Sequence, residues 1–199
     1  MKKHIILLLI LVVSIRSMAQ DSLKVKAKKN LLPHYAIFQF AGNMGLASLG
    51  TGYLFNKRRM GLGLQVGYLP ESIGGAKMTT LTLKYIYSPW EINHHNFYIV
   101  PIDIGINLTN TYSDLIERKW ASHYPRGYYP IIPSLNFGFF VGSSIYYKVN
   151  KKKESKSRFG LFYEFVITSR LTELWYDNPE VVRFQNLWNL SLGFKYRFR

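Results

Sequence analysis

The chain has 199 residues, of which 48% are hydrophobic and 16% aromatic, with a formal charge of +15. That composition excludes a disordered chain and is unlike an ordinary acidic cytosolic domain. The length suits one domain, and the absence of cysteine leaves neither a disulfide framework nor a lipoprotein anchor.

At the N-terminus Lys2, Lys3 and His4 precede an apolar run from Ile5 to Val13, and Ser17-Met18-Ala19 puts small residues where a signal peptidase reads them. The pattern predicts a signal peptide over 1–19, cleaved between Ala19 and Gln20. A transmembrane helix needs about 20 apolar residues, and Ser14 and Arg16 cut this run short. The mature chain loses Lys2, Lys3 and Arg16 with the peptide, so its charge falls to +12. Residues 20–33 are lysine-rich without sustained periodicity and read as a flexible periplasmic leader.

From residue 34 onward a period of two dominates, which means strands with unlike faces. Eight are expected, at about 34–42, 46–55, 60–69, 79–88, 97–107, 133–147, 158–170 and 186–198. In the third, Met60, Leu62, Leu64, Val66 and Tyr68 oppose Gly61, Gly63, Gln65 and Gly67. The fourth sets Leu81, Leu83, Tyr85 and Tyr87 against Thr80, Thr82, Lys84 and Ser88. The fifth sets Val100, Ile102, Ile104 and Ile106 against Pro101, Asp103, Gly105 and Asn107. The seventh sets Phe159, Leu161, Tyr163, Phe165 and Ile167 against Gly160, Glu164, Thr168 and Arg170. In the last, Trp188, Leu190, Leu192, Phe194, Tyr196 and Phe198 take every second position.

The apolar faces carry the large residues, and the polar faces are rich in glycine, serine and threonine. A soluble sandwich would bury its apolar faces against each other. A narrow closed barrel in lipid puts the small polar face inside and the large apolar face outside, and it must close because hydrocarbon tolerates no unpaired backbone. The expected fold is therefore all-β, a closed eight-stranded antiparallel up-and-down transmembrane β-barrel over 34–199. Connections alternate in length, the longest running from Leu108 to Ile132, which places both termini in the periplasm and the long loops outside. Tyr53, Phe55, Tyr85, Tyr87, Tyr98, Tyr147, Phe159, Tyr196 and Phe198 fall near the periplasmic strand ends and suit one interfacial girdle.

The final strand also carries Ser191, Gly193, Tyr196 and Phe198, which resemble the C-terminal assembly signal of outer-membrane barrels; here Arg199 follows the last aromatic. From about residue 34 to its end the chain resembles the small eight-stranded outer-membrane β-barrel proteins, Bacteroidetes-type barrel families among them. The resemblance implies an outer-membrane location, contact with outer-membrane lipid and lipopolysaccharide, dependence on the barrel-assembly machinery, and a monomer. Such barrels include structural and adhesive proteins, narrow conduits for small solutes and lipid A-modifying enzymes, so the fold does not choose among these.

Inward charges are the first candidates. Lys84 and Asp103 are expected at similar depth on adjacent strands, as are Glu164 and Lys195, with Arg170 and Arg197 nearer the two mouths. A satisfied polar plug is the plain reading of this set, and a gated conduit or ligand site the alternative. The long external loop offers Tyr112, Arg118, Trp120, Arg126 and Tyr128, suited to stacking on sugars and pairing with lipid phosphates, or to folding back over the mouth. Residues 112–120 read as a short surface helix.

No metal set or cofactor motif is apparent. His94 and His95 are adjacent in a turn, where an extended chain points them apart, and His34 and His123 stand alone. The lipid A palmitoyltransferase barrels use histidine, aspartate and serine near the outer mouth, for which His123, Asp114 and Ser113 are the candidates. The lysine run at 151–153 reads as a solvated turn and not as a nucleic-acid site. A structural or surface-interaction role is thus expected, ahead of solute passage and of catalysis.

Overall fold

The computed structural model describes residues 32–116, 132–149 and 157–198. The alternating segments form β1 (Tyr35–Ala41), β2 (Ala47–Phe55), β3 (Met60–Leu69), β4 (Met78–Tyr87), β5 (Ile92–His94), β6 (Phe97–Ser113), β7 (Leu135–Lys148), β8 (Arg158–Thr168) and β9 (Asn189–Arg197). Sequential strands pair antiparallel, β4 pairs with β6, and β9 returns to β1, so eight strands close into a barrel. The short β5 pairs with the start of β6, from Ile92↔Ile99 to His94↔Phe97, and stands outside the ring.

The closing seam joins β9 to β1, with Ala36 opposite Tyr196 and Ala41 opposite Ser191. On its outer side Phe38 stacks on Phe194, ring centroids 6.5 Å apart. Closure satisfies the backbone of both terminal strands, which would otherwise be open edges.

The end of the barrel at which β1 runs into β2, β3 into β4, β6 ends, β7 begins and β8 runs into β9 is called here the loop end. The opposite, turn end holds the 56–59 and 88–96 connections, the end of β7, the start of β8, the start of β1 and the end of β9. A single turn of helix, α1 (Glu71–Gly74), and the longer α2 (Ser169–Asp177) both belong to the loop end.

Three expectations need correction. The seventh expected strand, about 158–170, is β8 and ends at Thr168, because the Thr168 side chain accepts from the Leu171 N–H and caps α2. The 97–107 strand runs on to Ser113, and Tyr112 is strand where a helix was expected. Its extension gives the upper half of β4 a ladder, with Thr79 opposite Tyr112 and Thr80 opposite Thr111.

The third concerns which way β6 faces. Val100 pairs with Ser144 and Asp103 with Gly142, so one extra residue is inserted on β6 between them. Pro101 has no N–H to give a ladder and is tolerated at such a bulge. Below it the faces exchange: Val100 is buried in the lumen while Ile104 and Ile106 face out. Tyr98 therefore leaves the outer girdle. Phe97 takes that place against Tyr147, 5.3 Å away, beside outward Tyr53, Phe55, Tyr87, Phe159 and Phe198.

The lumen is filled more fully than the polar faces suggested. Tyr35, Phe140, Tyr146 and Phe162 are buried inside it, and each sits directly opposite a glycine: Gly52, Gly105, Gly160 and Gly193. A Cβ at Gly105 or Gly193 would run into the ring of Phe140 or Phe162. Lys84 faces Gly63 and Glu164 faces Gly142 in the same way. Eight strands enclose room for side chains and little else, so a large residue on one strand needs a bare position on the next.

Because β9 supplies two ladders, to β8 and to β1, deletion of 196–199 is expected to abolish folding, whereas removing 21–30 leaves it largely intact. Heat-modifiable mobility on semi-native gels reads the folded barrel; wild-type levels of it after the C-terminal deletion would contradict this.

Candidate functional site

The lumen network forms around Lys84. Its Nζ, on β4, donates to Glu164 Oε2 on β8 at 2.5 Å and to Gln39 Oε1 on β1 at 3.1 Å. Since β4 and β8 are not neighbours in the ring, this ion pair crosses the interior. The ammonium also lies 4.6 Å from the Phe140 ring centroid and 5.6 Å from that of Phe162, so apolar faces shield the pair from water. Lys84 is 1% exposed and Glu164 2%. In such surroundings removing one partner strands the other charge, at a cost of about 3–5 kcal/mol.

The remaining lumen charges are partnered otherwise than their strand positions suggested. Lys84 sits level with Asn107, not with Asp103. Asp103 accepts from the hydroxyls of Ser88, just past the end of β4, and of Ser144 on β7. Glu164 is level with Ser191 and Lys195 with Gly160, so those two charges are at different depths. Lys195 Nζ lies 5.0 Å from the Phe162 ring centroid and 5.8 Å from that of Tyr35. Thr82 and Thr109 bond to each other at 2.9 Å. These pairings depend on strand stagger and on reach across the barrel, which period-two patterns do not encode.

Gln39, Ser88, Ser144 and the four lumen aromatics were missed as members of the network. Their signal was present: Phe140, Tyr146 and Phe162 break the rule of small residues inside, each at a position shared with glycine on a neighbouring strand.

At the loop end a cup of about 430 Å³ is lined by Asn43, Thr80, Thr111, Asn136 and Arg170 with the apolar Leu46, Leu69, Met78 and Ile116. Arg170 is the second residue of α2, and its Nη2 donates to the Pro133 carbonyl at 3.0 Å. Ser169 Oγ donates to Asn136 Oδ1 at 2.8 Å and ties the helix to β7. Next to the cup Trp175, Phe184 and Trp188 form a chain of edge-to-face rings at 5.9 and 6.4 Å, reaching Phe165 on the wall. Of the loop candidates, Tyr112 lies on β6 opposite Thr79. Arg118, Trp120, Arg126 and Tyr128 fall outside the described residues, as does His123. Ser113 Oγ accepts from the Leu115 N–H at 3.3 Å.

The four residues of the terminal motif divide by face. Ser191 and Gly193 are buried in the lumen, Ser191 donating to the Glu164 carbonyl at 3.4 Å. Tyr196 and Phe198 face outward with rings 5.2 Å apart, and the Phe198 N–H donates to the His34 carbonyl at 2.9 Å. His34 also binds β2, its Nδ1 accepting from the Leu54 N–H at 2.9 Å. His94 and His95 do not point apart as expected: the αL backbone of His95 brings the rings to 4.4 Å. Among the described residues no three His, Asp or Glu side chains gather as a metal set.

The sequence matches no protein-family model and no curated protein.

With aromatic rings and an ion pair across the lumen, the purified barrel is expected to give no large, stable single-channel steps in planar bilayers. Steps of porin size would show that the Lys84 and Glu164 pair does not seal it.

Proposed function

We propose that this chain is an integral outer-membrane protein of the small eight-stranded barrel class, a monomer that crosses the bilayer with a filled lumen and acts through its loop end in a structural or surface-interaction role. One observation carries the reading: exposure is inverted relative to a water-soluble domain. Outward Leu49, Val66, Ile106 and Leu192 are each more than half exposed, while Lys84, Glu164 and Lys195 are almost wholly covered. Water penalises that arrangement and hydrocarbon favours it.

Strand lengths agree. β2 has 9 residues and β3 and β4 have 10 each, and tilted strands of about 9–11 residues cross the apolar core of a bilayer. The outward aromatics at the turn end suit an interface, and the secretion signal supplies a route to it. In this setting the turn end and both termini are periplasmic and the loop end faces outward. No described helix is long and apolar enough to cross a membrane, which has no bearing on crossing by strands.

The sealed lumen argues for the loop end as the working surface. There the cup beside α2 falls in the volume range of small-molecule sites. The Trp175, Phe184 and Trp188 cluster offers ring faces at the level where lipopolysaccharide begins, and outer-membrane lipid and lipopolysaccharide are the proposed partners. Delivery by the barrel-assembly machinery is part of the same reading, with the final strand as the recognised segment.

Fractionation is expected to recover the protein in the outer membrane with an N-terminus beginning at Gln20. Deletion and overexpression strains should show unchanged lipid A acylation. An uncleaved soluble protein would overturn the membrane reading; an acyl chain gained or lost in step with the protein would replace the surface role with catalysis.

A further inference from the structure

At the turn end three adjacent strands place a cation at one level of the lumen wall. The register sets Lys148 on β7 opposite Arg158 on β8, and Arg158 opposite Arg197 on β9. Cross-strand partners leave the sheet on the same face, and like charges directly opposite each other are destabilising unless something offsets them. Among the described residues one carboxylate answers this row, Glu91, which pairs with Arg158. The Arg158 guanidinium also lies 3.3 Å from the Tyr98 ring centroid, with Lys148 Nζ 4.8 Å from the same ring.

Arg197 is the deepest of the three, at 3% exposed. Its Nη2 donates to the Tyr146 hydroxyl at 2.9 Å, and its plane lies 3.9 Å from that ring centroid. Among the described residues its Nε and Nη1 have no partner, so most of the guanidinium's donors are unmet inside the barrel. The two lumen carboxylates are engaged elsewhere, Glu164 with Lys84 and Asp103 with two serine hydroxyls. A buried, unneutralised charge of this kind is costly.

The neighbouring turn adds a second, independent feature. Asn56, Lys57 and Arg58 all take positive φ, at 50°, 54° and 70°. Side chains other than glycine enter that region at about 1 kcal/mol or more each. Arg58, on this turn, is half-buried and belongs to the same end of the barrel as Arg158 and Arg197. Burial first, then the charges of Arg158 and Arg197, pull its pKa below the usual arginine range. Strain and like-charge crowding thus converge on one mouth.

We propose that the turn-end mouth is a binding site for a phosphate-class oxyanion, with Arg197 as its inner donor and Arg58 and Arg158 as its rim. Several N–H donors on planar guanidinium groups match the oxygens of a phosphate better than a single ammonium does, and its negative charge, about −1 for a phosphodiester headgroup and between −1 and −2 for free phosphate, offsets part of the excess of cations over Glu91. The phosphate is either free in solution or the headgroup of an anionic lipid in the leaflet at that end. The lipid source rests on the membrane reading, and the free source does not.

Two measurements on the purified, folded full-length mature chain test this in a phosphate-free detergent, with ionic strength held by chloride. Phosphorus NMR of inorganic phosphate is expected to broaden saturably with wild type, and about tenfold more weakly with Arg197→Gln. Arg58→Gln, on a turn outside the ladders, is expected to weaken it several-fold with wild-type semi-native mobility, so it decides the matter alone if Arg197→Gln fails to fold. Native mass spectrometry with added phosphatidylglycerol supplies the other arm. Lipid retained by wild type, lost in Arg58→Gln and unaccompanied by free-phosphate binding assigns the site to a headgroup. Neither probe binding above the chloride control, or binding that Arg58→Gln leaves unchanged, overturns the proposal. Free-phosphate binding by a protein recovered outside membranes would leave this site standing while removing the membrane reading.

Discussion

A sheet of eight strands closed on itself leaves an interior one side chain deep, and every other feature of this barrel answers to that limit. A large lumen residue is possible only where its ladder partner is bare. Phe140 beside Gly105, Tyr146 beside Gly160 and Phe162 beside Gly193 are three instances on the β6 to β9 half. The glycines are thus complements of particular side chains, and their loss would be felt as overpacking, typically about 1–3 kcal/mol each.

The same narrowness explains how charge can sit in the middle. Lys84 and Glu164 approach to 2.5 Å from strands that do not touch, because the barrel is narrow enough for their side chains to span it. Phe140 and Phe162, admitted by their glycines, cover the pair and exclude water. Exclusion strengthens the attraction and raises the cost of breaking it. The interior is neutralised at this level and cationic at the turn end, where Arg197 lies beyond the reach of the lumen carboxylates' bonds.

The outer surface was legible in the sequence almost residue by residue, because alternation is a local property. Met60 to Tyr68, Leu81 to Tyr87 and Trp188 to Phe198 face as their spacing implies, and β9 meets β1 to close the sheet. What was not legible is what depends on three dimensions. The bulge at Pro101 exchanged the faces of Tyr98 and Val100, although a proline within an apolar run was a visible warning. The contact between Lys84 and Glu164 was not legible because depth along neighbouring strands says nothing of reach across the lumen. The interior aromatics were passed over because Phe140 lies beside outward Phe139 and Phe162 between outward Leu161 and Tyr163, where alternation is hard to see in an unbroken apolar run.

Together these features describe a barrel whose outer wall is apolar, whose centre is locked by a shielded ion pair, and whose two ends differ: aromatic with a ligand-sized cup at one, cationic at the other. The lock is the claim on which the sealed lumen depends. A double-mutant cycle with Lys84→Met and Glu164→Leu, read as urea unfolding of the barrel in lipid vesicles, tests it most directly. Each single substitution is expected to cost about 3–5 kcal/mol, and the double less than either alone, since it leaves no stranded charge. Single effects that simply add to within about 0.5 kcal/mol would contradict it, because two residues that do not depend on each other cannot be what holds the lumen shut.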